Sequence, residues 1–391
     1  MKIPEINTVC FIGAGTMGCA NAITAGLAGY KINIYDLSSA SIESVPIRFK
    51  EIGDYIVQQG ICPQAMVDYV VSQIEVTSDL TAATAQADLV SESVYESLTV
   101  KREVHGQLDK VCPARTIITT NTSTFMVSDI EDVVTASRGG LFAALHSHLG
   151  SVLIDIVGGP RTTQNTIDIL ERYVLSLNGM PLVLKKENPG YVLNAMLGPV
   201  LGTAMLMRQA NVANIEDIDR AWMSQGDITI GPFGLMDLFG LNVIHDSWQH
   251  PKPTPEYREN KPKIMALIMP YIESGELGAK AGKGFYTYPN PAYAQQGFNE
   301  SNASDLERNL ALLSSALING AVALAANEIA TPEIIDNAWK VSMVTPQGPF
   351  ELLQRMGGEA YLKRLDTQLA GGWFGTELTL PVKAYIKQYY L

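Results

Sequence analysis

The chain has 391 residues, of which 47% are hydrophobic and 17% charged, and its formal net charge is −12. The length predicts two or three domains. The composition excludes wholesale disorder, and the acidity argues against nucleic acid as a partner, because phosphate backbones are repelled.

The four cysteines, Cys10, Cys19, Cys62 and Cys112, form no C-x-x-C pair. A zinc ribbon or redox dithiol is therefore unsupported, and reduced, mostly buried thiols are expected. The N-terminus "MKIPEINTVCFIGAG" shows no secretory pattern. No window is read as reaching the ~20 apolar residues of a membrane span, so the expected compartment is the cytoplasm and no membrane partner is expected.

The first element is the apolar run Val9–Ile12, read as a buried parallel strand. Gly13-Ala14-Gly15-Thr16-Met17-Gly18 follows as G-x-G-x-x-G, then an Ala-rich helical stretch to about Gly29, then a second strand from Ile32 to Tyr35 ending at Asp36. Each glycine meets a different physical need. Gly13 allows the tight turn, Gly15 lets backbone approach a pyrophosphate, and Gly18 permits close helix packing. Thr16, Met17 and Gly18 stand at the helix N-terminus, where free N–H groups and the positive dipole end favour phosphate. Asp36 stands where a carboxylate accepts from the adenosine ribose and repels a 2′-phosphate, which favours NAD over NADP. Strand, turn, helix, strand and acid occur in the order a dinucleotide site requires.

The alternation continues through Ala87–Val94, Thr116–Ser123, Leu141–His148 and Val152–Gly158, all read as strands. A mostly parallel sheet is predicted, with ligands at the carboxyl ends of its strands. His146 then falls at one strand end, Ser123 at the end of the strand before, and Asp155 on the next strand.

These residues resemble the 3-hydroxyacyl-CoA dehydrogenase family over nearly the whole chain. "ADLVSESVYESLTVKREVHGQLDK" looks like the family segment whose Glu and Lys contact the nicotinamide ribose side, which implies Glu96 and Lys101. "TTNTST" resembles Ser-Asn-Thr-Ser-Ser and implies Asn121 for cofactor and Ser123 for substrate. "FAALH" implies His146 as the catalytic histidine, "NPGYVLNAML" implies Asn194, and "GAKAGKGFYTY" implies Lys280 as a cofactor contact. "GPFGLMDLFGL" completes the pattern. The resemblance implies an α/β Rossmann-type dinucleotide-binding domain followed by two tandem all-α domains like the C-terminal domain of 6-phosphogluconate dehydrogenase. The expected limits are 1–187, 188–290 and 300–391.

Two departures stand out. The family follows its histidine with Phe-Phe-Asn-Pro and reaches a catalytic Glu twelve residues on. Here Ser147-His148-Leu149-Gly150 follows, and the first carboxylate of the matching strand is Asp155, nine on. The loop reads as three residues shorter. The family's lysine-rich helix after the ribose acid, which meets the CoA phosphates, is here "SSASIESVPIRFKEIGDYIVQQG", whose bases are Arg48 and Lys50.

The implied chemistry needs few parts. His146 takes the hydroxyl proton, since its pKa lies near neutrality. Asp155 behind it would fix the tautomer. Ser123 and Asn194 would hold the substrate, and no metal is required. His148 would share the face of His146 if the strand continues, though a capping or surface role is preferred for it. His105, His245 and His250 receive no role.

The C-terminal half carries an internal duplication. "IDRAW" from Ile218 returns as "IDNAW" from Ile335, and "GPFGL" from Gly231 as "GPFEL" from Gly348, both 117 positions apart. Asn194 maps onto Ala311, so the second copy reads as structural. The stretch "YPNPAYAQQGFNESNAS" between the copies reads as a linker. Met205, Met207, Trp222 and Trp339 read as core. Single-copy family members pair these helical domains between subunits, so a tandem copy implies a monomer with an internal pseudo-dimer, or a homodimer.

The expected activity is NAD-dependent interconversion of 3-hydroxyacyl and 3-ketoacyl groups, on an acyl substrate carried as a CoA thioester or on a carrier protein. A free short hydroxy acid is the close alternative. An NAD-binding protein without turnover is the alternative of another class, and a purely structural protein would leave the glycine turn unexplained.

Overall fold

Short apolar runs become the strands of one eight-stranded sheet in the computed structural model, which describes residues 2–148, 150–226, 228–249, 255–300 and 305–391. The strands are β1 (Thr8–Ile12), β2 (Lys31–Tyr35), β3 (Glu75–Thr77), β4 (Leu89–Glu92), β5 (Ile117–Thr120), β6 (Phe142–Ser147), β7 (Leu153–Gly158) and β8 (Met180–Val183). Their order is β3-β2-β1-β4-β5-β6-β7-β8. Pairing is parallel from β3 through to β6, antiparallel between β6 and β7, and parallel again between β7 and β8. β1, β4 and β5 are buried throughout, as strands with both faces covered must be.

The sequence reading missed the two edge strands. β3 has only three residues. β8 contains Pro181, which argues against a strand in a sheet interior but is tolerated at an edge. β5 stops at Thr120, so Ser123 lies beyond the strand rather than at its end.

The helices that matter here are α1 (Thr16–Leu27), α2 (Val45–Gln58), α3 (Leu98–Val111) and α4 (Gln164–Ser176). α1 forms because small residues, Gly18, Cys19, Ala22 and Ala25, make one buried stripe. Gly29 follows its end at φ +92°, a conformation glycine adopts without strain. These elements make the first compact unit, Met1–Tyr191.

The second compact unit is Val192–Leu391, and it contains both helical copies. Five helices, α5 (Leu193–Gln209), α6 (Ile215–Met223), α7 (Pro232–Phe239), α8 (Leu241–Ser247) and α9 (Pro255–Ser274), are repeated by five more. These are α10 (Leu306–Ala326), α11 (Pro332–Met343), α12 (Pro349–Met356), α13 (Gly358–Ala370) and α14 (Thr376–Tyr389).

The duplication extends to single hydrogen bonds. Asp219 accepts from the N–H groups of Phe233 (2.9 Å) and Gly234 (3.0 Å) at the start of α7. Asp336 accepts from Phe350 (2.8 Å) and Glu351 (3.1 Å) at the start of α12. A side chain at Gly231 or Gly348 would fall 2.3 Å from the capping carboxyl carbon, so only glycine fits beside each acid. The copies merge because their cores are shared: Trp222 and Trp339 meet edge to face at 6.2 Å. Met205 and Met207 are buried, as expected of core.

Two further readings are corrected. α10 is long and apolar enough to cross a membrane, with mean hydropathy 1.6. It is apolar because it is surrounded by its own unit, 72% of that window being buried. The segment after Tyr288 is not a plain linker: Phe298 is buried, and Arg220 lies over its ring at 4.5 Å while donating to its carbonyl. His250 lies outside the described residues.

Candidate active site

The glycine turn comes first. Gly13 has φ +104°, and a Cβ there would lie 2.6 Å from the Ser93 carbonyl oxygen. A Cβ at Gly18 would strike the Gly13 carbonyl at 1.9 Å, so Gly18 closes the turn itself rather than merely seating the helix on the sheet. Gly15 is different: a Cβ there meets nothing within 4 Å. Gly15 begins α1 without a side-chain cap, and the first intrahelical bond runs from the Cys19 N–H to the Gly15 carbonyl (3.0 Å). The N–H groups of Thr16, Met17 and Gly18 therefore precede the helical ladder. Open space before uncapped donors suits a pyrophosphate, so the residues present fit a dinucleotide. Asp36 accepts from the N–H groups of Ala14 and Ser38, both at 2.8 Å, which fixes its carboxylate beside the turn.

A second feature went unnoticed in the sequence. Glu92, the last residue of β4, is fully buried. It accepts from the Val94 N–H (2.7 Å), Lys101 Nζ (2.8 Å), Thr120 Oγ1 (2.7 Å) and His105 Nε2 (3.0 Å). Burial alone would raise its pKa, but His105 and Lys101 hold it down to about 2. The signal was present: a Glu closing an apolar strand, then Lys101 and His105 four apart on one face of α3.

Lys101, expected to lie on the nicotinamide ribose side, is 1% exposed and engages Glu92 and Glu96 (3.1 Å). Glu96 in turn accepts from Thr122 Oγ1 (2.5 Å) and from the N–H groups of Ser123 and Thr124 (both 3.1 Å). It shapes the turn after β5. Asn121, at the head of that turn, accepts from the Ser147 N–H (2.8 Å), and the Ser147 hydroxyl also meets the Asn21 side-chain amide (2.8 Å). Three elements, α1, β5 and β6, are thereby tied at the carboxyl edge of the sheet.

His146 and Asp155 sit directly opposite each other in the antiparallel register of β6 and β7. Cross-strand neighbours point to the same face, so the nine-residue spacing brings a short Asp side chain to the ring. Nδ1 of His146 lies 2.9 Å from Asp155 Oδ2. His148 follows two residues later, beyond the end of β6, and its Nε2 reaches the same Oδ2 at 2.8 Å. The surface or capping role preferred for His148 is therefore overturned. The two rings are edge on, with centroids 4.4 Å apart. Tyr191, at φ +50°, lays its ring 5.1 Å from His146, and its buried phenol has no hydrogen-bond partner among the described residues.

Burial lowers the His146 pKa, and Asp155 only partly restores it. Asp155 would be raised by burial, but hydrogen bonds from both histidines pull it below the usual carboxylate value. A neutral imidazole beside an ionised carboxylate is the resting state at neutral pH. One ring nitrogen of His146, one of His148 and a carboxylate oxygen of Asp155 lie within 4.8 Å of one another. The Nδ1 and Nε2 contacts to one oxygen describe a hydrogen-bonded triad in which each ring nitrogen donates a proton.

Asn194, the second residue of α5, and Lys280, in the 3-10 turn Ala279–Ala281, are exposed on the second unit.

A glycine turn open before uncapped donors, an acid just after β2 and a histidine on a buried carboxylate are the parts that a nicotinamide-dependent dehydrogenase of Rossmann type requires. Residues 8–187 match the NAD-binding domain of 3-hydroxyacyl-CoA dehydrogenase. Residues 190–288, and again 312–377, match the C-terminal domain of the same enzymes. The chain belongs to the 3-hydroxyacyl-CoA dehydrogenase family. It is 29% identical over 297 residues to the mitochondrial hydroxyacyl-coenzyme A dehydrogenase of Rattus norvegicus, covering 72% of this chain and 91% of that one. It is 28% identical over 293 residues to a probable 3-hydroxybutyryl-CoA dehydrogenase of Bacillus subtilis, covering 73% and 98%. The crystal structure of 3-hydroxybutyryl-CoA dehydrogenase from Escherichia coli K12 shares the fold across 98% of this chain and 99% of that one, at TM-score 0.77 and 21% identity. The protein is an NAD-dependent oxidoreductase acting on a CH–OH group.

Proposed function

We propose that the protein interconverts a 3-hydroxyacyl and a 3-ketoacyl group with His146 as the base. The observation that carries this is the buried cross-strand pair, His146 Nδ1 at 2.9 Å from Asp155 Oδ2. With Nδ1–H donated to the carboxylate, Nε2 keeps a lone pair for the substrate hydroxyl proton. NAD, when bound, supplies the acceptor for the hydride that leaves the carbinol carbon as the carbonyl forms. Asp155 then faces the imidazolium and stabilises it; in the reverse direction His146 returns the proton to the oxygen. Ser123 and Asn194 are assigned by their family motifs to hold the hydroxyl and the neighbouring carbonyl. The reaction suits fatty-acid metabolism, and four free cysteines support the cytoplasm as its compartment.

A CoA thioester is the leading substrate, supported by the family. A second reading, in which the acyl group is free or carried by a protein, is favoured by α2. Arg48 donates to the carbonyls of Ala14 and Ser41, both at 3.0 Å, and Lys50 pairs with Asp54 at 2.6 Å. Both bases that could meet CoA phosphates there are engaged. The test is loss of reduced-nicotinamide absorbance with 3-ketoacyl CoA thioesters, carrier-bound thioesters and free acids. Oxidation of NADH with CoA thioesters supports the leading reading, and oxidation only with another form supports the second. Silence across the panel with NADH binding intact contradicts the proposal.

A further inference from the structure

We infer that His148 is a positioning residue of this reaction: it holds Asp155 through the oxygen that serves His146 and draws part of that carboxylate's charge away from His146. The inference rests on the proposed role of His146 as base and adds a residue that the His–carboxylate pair does not itself require.

The geometry is the main argument. The two imidazole contacts to Asp155 Oδ2 are nearly equal, 2.9 Å from His146 and 2.8 Å from His148. The other oxygen, Oδ1, is buried without a partner among the described residues. A carboxylate anchored by one bond could rotate about its Cβ–Cγ bond; two donors converging on one oxygen leave it a single orientation. His148 comes from the rebuilt connection between β6 and β7, where the Ser151 N–H bonds back to its carbonyl at 3.1 Å and Gly150 turns the chain at φ +75°. The shortened loop therefore delivers a second histidine to an acid whose side chain is short.

The charge argument follows. Both ring protons face Asp155, so both rings are held in a defined tautomer: His146 with its proton on Nδ1, His148 with its proton on Nε2. The groups facing His146 are Asp155 from β7, His148 from the loop, Glu96 from the β4–α3 connection, and the neutral phenol ring of Tyr191. Removing His148 changes the balance in one direction on every count. Asp155 becomes a stronger acceptor for His146 alone, a neighbouring group able to carry positive charge disappears, and water enters beside a ring that is now 8% exposed. Each of these favours the protonated form of His146.

The test uses His148→Ala and His148→Gln, with His146→Gln as control, and reads kcat and kcat/KM for alcohol oxidation against pH. NADH binding by fluorescence reports whether each variant is folded. The acid limb of His148→Ala should move upward by about one pH unit, and kcat should fall on the order of tenfold as Asp155 loses its orientation. His148→Gln keeps an N–H donor, so its kcat should stay within about threefold of the parent while its acid limb still moves up. This variant decides the matter if His148→Ala fails to bind NADH. An unmoved acid limb in a variant that binds NADH overturns the inference. Turnover surviving in His146→Gln overturns the base assignment instead, so the two failures are separate.

Discussion

The first unit holds two buried carboxylates at or near strand ends, each bonded to a histidine, and they differ in everything else. Glu92 accepts from His105, Lys101, Thr120 and a backbone N–H, filling both oxygens. Among the described residues Asp155 accepts only from imidazoles, both on Oδ2, and leaves Oδ1 unpartnered. The His105 ring is fully buried against Phe142, centroids 4.9 Å apart, and its Nδ1 has no partner among the described residues. His146 sits at the carboxyl edge of the sheet beside the Ser147–Asn121–Asn21 tie. A histidine–carboxylate pair is thus no signature of chemistry by itself. The proposed function assigns the scaffold role to the acid compensated by a lysine ammonium and the reactive role to the acid that holds a neutral ring at a strand's carboxyl end.

This contrast breaks most sharply under substitution. Asp155→Asn should lower kcat by about 10²–10⁴-fold, because an amide donor at Nδ1 selects the wrong tautomer. Its melting temperature should stay near the parent's, as read by thermal unfolding beside turnover. Glu92→Gln should behave oppositely. It leaves the Lys101 ammonium buried with one acid fewer, at a cost of about 3–5 kcal/mol, so soluble yield and melting temperature should collapse before activity can be compared.

The glycine turn sharpens the comparison at the cofactor end. Gly15→Val should fold normally, since nothing among the described residues meets a Cβ there, yet lose NADH affinity by about tenfold or more as the side chain fills the phosphate space. Titration by fluorescence checks both halves.

The pH dependence follows from the sign of the His146 shift. A lowered pKa means the base form persists into acid, so the acid limb of alcohol oxidation should fall below the ordinary histidine value of 6.5. A limb above that value would place the titrating base elsewhere.

The smallest effect separates the helical copies. Burial pushes the Asp219 pKa up to about 7. A raised carboxyl pKa means the folded state binds the proton more tightly than the unfolded chain. Its contribution is full below the ordinary carboxylate range and declines as pH climbs toward 7. The stability gap between the parent and Asp219→Asn, measured by urea unfolding, should therefore narrow from pH 5 to pH 7.5. The gap for Asp336→Asn should narrow less, since Asp336 is less deeply buried.

The sheet was legible in the sequence wherever a strand was apolar on both faces and bounded by turn residues. The short β3 and the proline-bearing β8 were not, because edge strands obey weaker constraints. The repeat was legible through fixed offsets, and its depth, down to Asp219 and Asp336 capping equivalent helices, needed coordinates. His146 was singled out by its motif and its strand end, and Asp155 as the first carboxylate on the following strand; the antiparallel register that sets them opposite each other needed coordinates. Glu92 and His148 were missed for related reasons. One looked like a polar residue ending a strand, the other like a capping or surface residue, and each gains its meaning from a partner brought in by the sheet: Lys101 and His105 on a following helix, Asp155 on a neighbouring strand.

The most direct test sets His146→Gln beside His105→Gln, with kcat at saturating NAD and melting temperature measured on the same preparations. His146→Gln should lose about 10²–10⁴-fold in kcat with little change in melting temperature. His105→Gln should keep kcat within about threefold and melt earlier. The reverse pattern, with turnover lost at His105 and kept at His146, would contradict the account and move the base to the other pair.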